Sequence, residues 1–222
     1  MTRETHSEAA AYPSQTREER IADFAMHCAG IILAITGAIL LVVFSALNAS
    51  GATIAAVSVY AGALIATFMA SVFYHFPPWE SARPIFKRID HAAIYVKIAG
   101  TYTPLVALVG TAFAWGLLAV VWTLALAGAL ARLFFWRQPG ALNTRLYLVL
   151  GWLAVVLIWP IAHTLPAGAT ALIVAGGVLY TVGAVLFSLP NLRFQNAIWH
   201  FFVLIASGCF FAVITWGALS VG

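Results

Sequence analysis

Four stretches of this chain carry no Asp, Glu, Lys or Arg: residues 24–79, 98–131, 146–192 and 194–222. A helix that crosses the hydrocarbon of a bilayer needs about 20 consecutive apolar residues, and each stretch is long enough for at least one. With 63% hydrophobic and 8% charged residues over 222 positions, the chain lacks the polar residues to cover a soluble core. The expectation is an all-α, polytopic membrane protein.

Residues 24–79 leave room for two spans with a turn at "NASGAT" (48–53), residues 146–192 for two more divided near "HTLPAGA" (163–169), and residues 194–222 for one. The stretch 98–131 is too long for one span and too short for two plus a turn. A helix that starts near Phe86 to Ile89 and ends near Val109 supplies the missing length, and it draws Asp90, His91 and Lys97 into the membrane. The count is then a seven-transmembrane-helix bundle.

Alternating the sides of the membrane from the N-terminus puts Arg3, Arg17, Arg20, Arg83, Lys87, Arg88, Arg132, Arg137, Arg145 and Arg193 on one face and none of these cations on the other. Cationic loops stay in the cytoplasm, so the N-terminus is expected inside and the C-terminus outside. The basic loops face anionic headgroups and give no reason to propose nucleic-acid binding. Residues 1–22 read as a polar cytoplasmic segment without the apolar core of a cleavable signal peptide, and residues 23–222 as the membrane domain. Membrane lipids are the expected partners, a homo-oligomer is compatible with the sequence, and the location implied is the plasma membrane, the bacterial inner membrane. Cys28 and Cys209 fall inside spans and are assigned no chemistry.

Depth then sorts the polar residues. His75 ends the second span, Asp90 begins the third, Asn196 and His200 begin the seventh, and His27 lies one turn beyond Asp23 at the start of the first. All fall in one layer, the inner leaflet. Residues four apart share a helix face, which pairs Ser71 with His75 and Asn196 with His200. Asp90, Lys97 and Thr101 form a stripe, and His91 points about 100° away from Asp90. Three readings fit such a layer: hydrogen-bonded packing between helices, a metal site of imidazoles and a carboxylate, or a proton or ion pathway. Pro160 is expected to kink the fifth span, and the small residues of "GALA" (128–131) and "AGGVLYTVGA" (175–184) to let helices approach closely.

The motifs "TREERIADFAMHCAG" (16–30), "SVFYH" (71–75), "DHAAIYVKIAGTYTP" (90–104) and "IWHFFVL" (198–204) resemble the hemolysin III family, bacterial relatives of the progestin and adipoQ receptors and, more remotely, of the alkaline ceramidases. The resemblance implies seven helices with a cytoplasmic N-terminus and a Zn²⁺ ion near the inner face. In the receptor relatives the pattern takes one histidine from a Ser-x-x-x-His, two from a His-x-x-x-His on the last helix, and an aspartate of the third helix that holds a water at the metal. Carried over, the metal candidates are His75, His200 and Asp90, with Ser71 in support. The first histidine of the last helix is replaced by Asn196, a poorer zinc ligand, and Lys97 stands where an apolar residue is usual.

Those departures open two routes. The Lys97 ammonium reaches back toward Asp90 in place of the metal's charge, or snorkels to the interface; alternatively His27 or His91 supplies the third imidazole. The function expected first is sensing or adjusting the state of membrane lipids. The alternative is a metal-dependent intramembrane hydrolase of a lipid amide or ester, with Asp90 and Ser71 as catalytic residues. A pore-forming cytolysin, suggested by the family's name, ranks third.

Overall fold

The computed structural model describes residues 16–135, 141–189 and 191–220. Its eight α-helices are α1 (Arg17–Asn48), α2 (Gly51–His75), α3 (Arg83–Val109), α4 (Ala112–Phe134), α5 (Ala141–Trp152), α6 (Val155–Thr164), α7 (Ala167–Phe187) and α8 (Gln195–Ser220), with a short 3₁₀ turn at Glu80–Ala82. α5 and α6 together make one crossing, so seven segments are long and apolar enough to span a membrane. The outward faces agree: on α1 alone Ile32, Leu33, Ile39, Leu40, Val43, Phe44 and Leu47 are at least half exposed, an apolar surface suited to contact with lipid.

α1 begins inside the stretch expected as a polar tail. Thr16 and Glu19 form a capping box: the Thr16 hydroxyl accepts from Glu19 N at 3.3 Å and Thr16 N donates to the Glu19 carboxylate at 2.8 Å. The other Glu19 oxygen accepts from Phe194 N at 3.0 Å, and Arg193 pairs with Glu18 at 2.6 Å. Asn191 and Phe194 both have positive φ, 61° and 60°, an uncommon conformation for residues with a side chain. The turn before α8 is thus fastened to the first turn of α1. These contacts hold the start of α1 and the start of α8 at one end of the bundle.

α2 and α3 lie close because the Thr67 hydroxyl, while accepted by Ala63 O in its own helix at 2.8 Å, also lies 3.1 Å from Ala93 O of α3. Small residues make the helix contacts expected of them. A Cβ on Gly128 would meet the Tyr95 ring at 2.6 Å, and one on Gly183 would meet Phe202 Cβ at 2.7 Å.

The fifth span breaks at residues 153–154, six residues before Pro160. Ala154 N bonds Gly151 O and Leu157 N bonds Ala154 O, both three residues back, a local tightening of the helix. The Tyr102 hydroxyl of α3 lies 2.9 Å from both Leu150 O and Gly151 O. A buried side chain of a neighbouring helix satisfies the carbonyls at the break, as a membrane interior requires.

A buried aspartate and three histidines

α1 turns a narrow stripe inward: Asp23, His27, Gly30, Ala34, Ala38, Leu41 and Ser45. Its first two members meet His75 from the end of α2 and His200 from the second turn of α8. One donor atom from each of Asp23, His27, His75 and His200 lies within 4.8 Å of every other. The ring centroids form a triangle with sides of 4.1, 4.7 and 4.7 Å.

Asp23 is 1% exposed, and a buried carboxylate is costly unless its oxygens are bonded. Here both are. His75 Nδ1–H donates to Oδ2 at 2.8 Å and His200 Nδ1–H to Oδ1 at 2.8 Å. His27 Nδ1 lies 2.8 Å from the Asp23 carbonyl oxygen, and since a carbonyl only accepts, that nitrogen carries the proton. Bonding at Nδ1 puts the lone pair of each neutral ring on Nε2. The Ser71 hydroxyl, with one proton to give, sits 3.2 Å from His27 Nε2 and 3.3 Å from His200 Nε2.

The donor set fits a divalent transition metal. Three neutral imidazoles suit zinc, and an outer carboxylate that fixes the orientation of ligating histidines is the usual support for such an ion. The fourth member of the cluster is Asp23, which in the sequence marks only the start of the first span. The third imidazole is His27.

The remaining candidates separate. Asp90 lies in the second turn of α3 and faces Ser71; it is not among the four converging groups. Asn196 is buried one turn before His200. His91 Nδ1–H donates to Lys87 O at 2.7 Å, and the His91 carbonyl accepts from the Tyr147 hydroxyl at 3.0 Å, so this ring is held on α3, away from the cluster. Lys97 neither reaches Asp90 nor snorkels. It is 7% exposed and donates to Ser207 Oγ at 2.7 Å, with the rings of Phe68 and Tyr180 at 5.1 and 5.3 Å. Ser207 gives its own proton to Val203 O at 2.6 Å and so accepts from both Lys97 and the Tyr180 hydroxyl, the latter at 2.9 Å. A hydroxyl and two aromatic faces at hand outcompete a carboxylate two helical turns away.

His75, His200, Ser71, Asp90, Asn196 and Lys97 all line one cavity of about 700 Å³ that continues between α3, α6, α7 and α8 past Leu105, Ile158, Ile173 and Phe210.

Residues 16–211 match the family model described as "Haemolysin-III related". The chain belongs to the haemolysin III family. It is 37% identical over 200 residues to "Hemolysin-3" of Bacillus cereus, covering 89% of this chain and 91% of that one. It is 35% identical over 198 residues to "Hemolysin-3 homolog" of Bacillus subtilis (strain 168), covering 88% and 92%. This haemolysin III member is therefore a multi-pass membrane protein with a buried Asp–His₃ cluster able to hold a metal ion.

Proposed function

We propose that this protein is a zinc-dependent hydrolase of a lipid amide or ester, working in the inner leaflet of the bacterial plasma membrane. The observation that carries the reading is the convergence of His27, His75 and His200, two of which, His75 and His200, stand at the wall of a cavity of about 700 Å³, a size suited to a small amphiphile. The sequence alone favours a sensing role because Asn196 replaces an expected ligand; His27 removes that objection.

A zinc ion held by His27, His75 and His200 would supply Lewis acidity toward the lipid carbonyl. The chain's own residues do the rest. Asp23 holds two of the rings in register. Asp90, in the same cavity, takes the proton of the attacking water and returns it to the leaving amine or alcohol. The Ser71 hydroxyl donates to the oxygen on which charge develops. The apolar end of the cavity shelters the chain from water.

The test is release of fatty acid from a panel of lipid amides and esters by purified protein, followed by mass spectrometry. Activity should vanish with a chelator and in His75→Ala. Asp90→Asn should keep the metal and lose roughly 10²–10⁴-fold in rate. Turnover indifferent to chelation, or no release from any substrate by zinc-loaded protein, would remove the hydrolase.

A second reading has its own support. Asp23 and Ser71 close a hydrogen-bonded network among the three rings without any ion, and such a network can serve as a staple between α1, α2 and α8 in a lipid-sensing protein.

A further inference from the structure

Lys97 lies near the middle of α3, seven residues and about 10.5 Å of helix rise beyond Asp90. Its contact on α8, Ser207, lies the same seven residues beyond His200. The two side chains form a second polar level, deeper in the bundle than the Asp–His₃ cluster. Phe68 of α2 and Tyr180 of α7 face it from the other sides. Ionisable side chains at such depth are rare and costly.

The surroundings of this ammonium soften the cost without removing it. One of its three N–H bonds is given to Ser207 Oγ at 2.7 Å. Ser207 Oγ accepts from Lys97 and from the Tyr180 hydroxyl, so both of its lone pairs are used. The rings of Phe68 and Tyr180 attract the charge but do not neutralise it. Among the described residues no carboxylate forms an ion pair with Lys97, and both oxygens of Asp23 are held by His75 and His200. Lys97 nevertheless stands in the cavity wall, and Leu105, Ile158, Ile173 and Phe210 continue that wall. A buried positive charge without a counter-charge therefore faces a space lined by hydrocarbon.

We propose that Lys97 holds the carboxylate of a single-chain amphiphile, whose hydrocarbon lies toward Leu105, Ile158 and Ile173. One ammonium matches one negative charge, and an N–H bond between two ions is among the stronger hydrogen bonds. The enclosure by α2, α3, α7 and α8 and the apolar wall suit a hydrocarbon chain better than a small hydrated anion. The inference goes beyond the hydrolase reading and does not need it, since neither an ion nor turnover takes part.

The experiment compares decanoate with decan-1-ol, equal in chain length, by isothermal titration calorimetry on the full-length protein in an uncharged detergent. The native protein should bind decanoate about tenfold more tightly or better, and the preference should persist after chelation. In Lys97→Met it should fall to within about threefold. Equal binding of acid and alcohol by the native protein would overturn the proposal, and that comparison needs no variant to fold. So would a preference unchanged in Lys97→Met. A preference lost on chelation would place the carboxylate on a metal ion and remove it from Lys97. Acetate bound as tightly as decanoate would replace the amphiphile by a small free anion. A preference for decanoate in a protein that hydrolyses nothing would support this inference while removing the hydrolase; hydrolysis of a lipid by a protein indifferent to the carboxylate would do the reverse.

Discussion

Asp23 and His200 meet at 2.8 Å although 177 positions separate them in the chain. The contact exists because the turn before α8 is fastened to the first turn of α1, and because the inward stripe of α1 starts with a carboxylate. Asp23 also receives His75, so one side chain sets two rings. Asp23→Asn retains one accepting oxygen and loses the other. It should lower zinc affinity roughly 10–100-fold, the usual penalty for losing an outer-shell partner, while the helix content stays unchanged. Equilibrium dialysis against a zinc buffer measures it.

His27 and His91 make a matched pair for testing which ring completes the donor set. His27 Nε2 faces Ser71 and His200, whereas His91 is tied to Lys87 O. His27→Ala should lose most of the bound metal, and His91→Ala should keep it. The reverse pattern would move the centre to α3.

Lys97 and Ser207 give a prediction on stability. Ser207→Ala removes the hydroxyl that accepts from a buried ammonium and should destabilise by about 1–3 kcal/mol. Lys97→Met removes the charge itself and should be close to neutral or stabilising. The double variant should then be more stable than Ser207→Ala alone, as read from thermal unfolding in detergent. Additive losses would show that the two side chains act independently.

Gly100 tests the packing of α3 on α2. A Cβ there would lie 2.6 Å from Ala63 Cβ, and neither atom can swing away. Gly100→Ala should cost about 1–3 kcal/mol through overpacking. Adding Ala63→Gly should restore part of the loss.

Much of this arrangement is legible before any coordinates. Runs free of charge and the need for about 20 residues per crossing give seven spans, depth along them puts His27, His75 and His200 in one layer, and helical phase pairs Ser71 with His75. The same counting hides Asp23, because a method that ends a span at the first charge assigns that charge to the interface. The signal was present in the spacing: Asp23 and His27 share the phase of Gly30, Ala34, Ala38 and Leu41, and small residues at that period mark a face pressed against other helices. For Asp90, depth was readable but rotation was not; the sequence makes it the carboxylate of the metal site, while α3 turns it toward Ser71 and leaves the imidazoles to Asp23. For Lys97 the sequence offers only neighbours along its own helix. Its partner lies on α8, and which residue of α8 faces α3 depends on how the helices are rotated. The break at residues 153–154 escaped for a similar reason, since the Tyr102 hydroxyl that answers its carbonyls comes from another span.

The most direct test of the account is the metal content of the purified, detergent-solubilised protein, measured by elemental analysis before and after exposure to zinc, alongside His27→Ala and His75→Ala. About one zinc per chain in the native protein, lost in both variants, is the predicted result. A native protein that holds no metal and regains none would contradict the metal centre and leave the Asp23 network as a staple between helices.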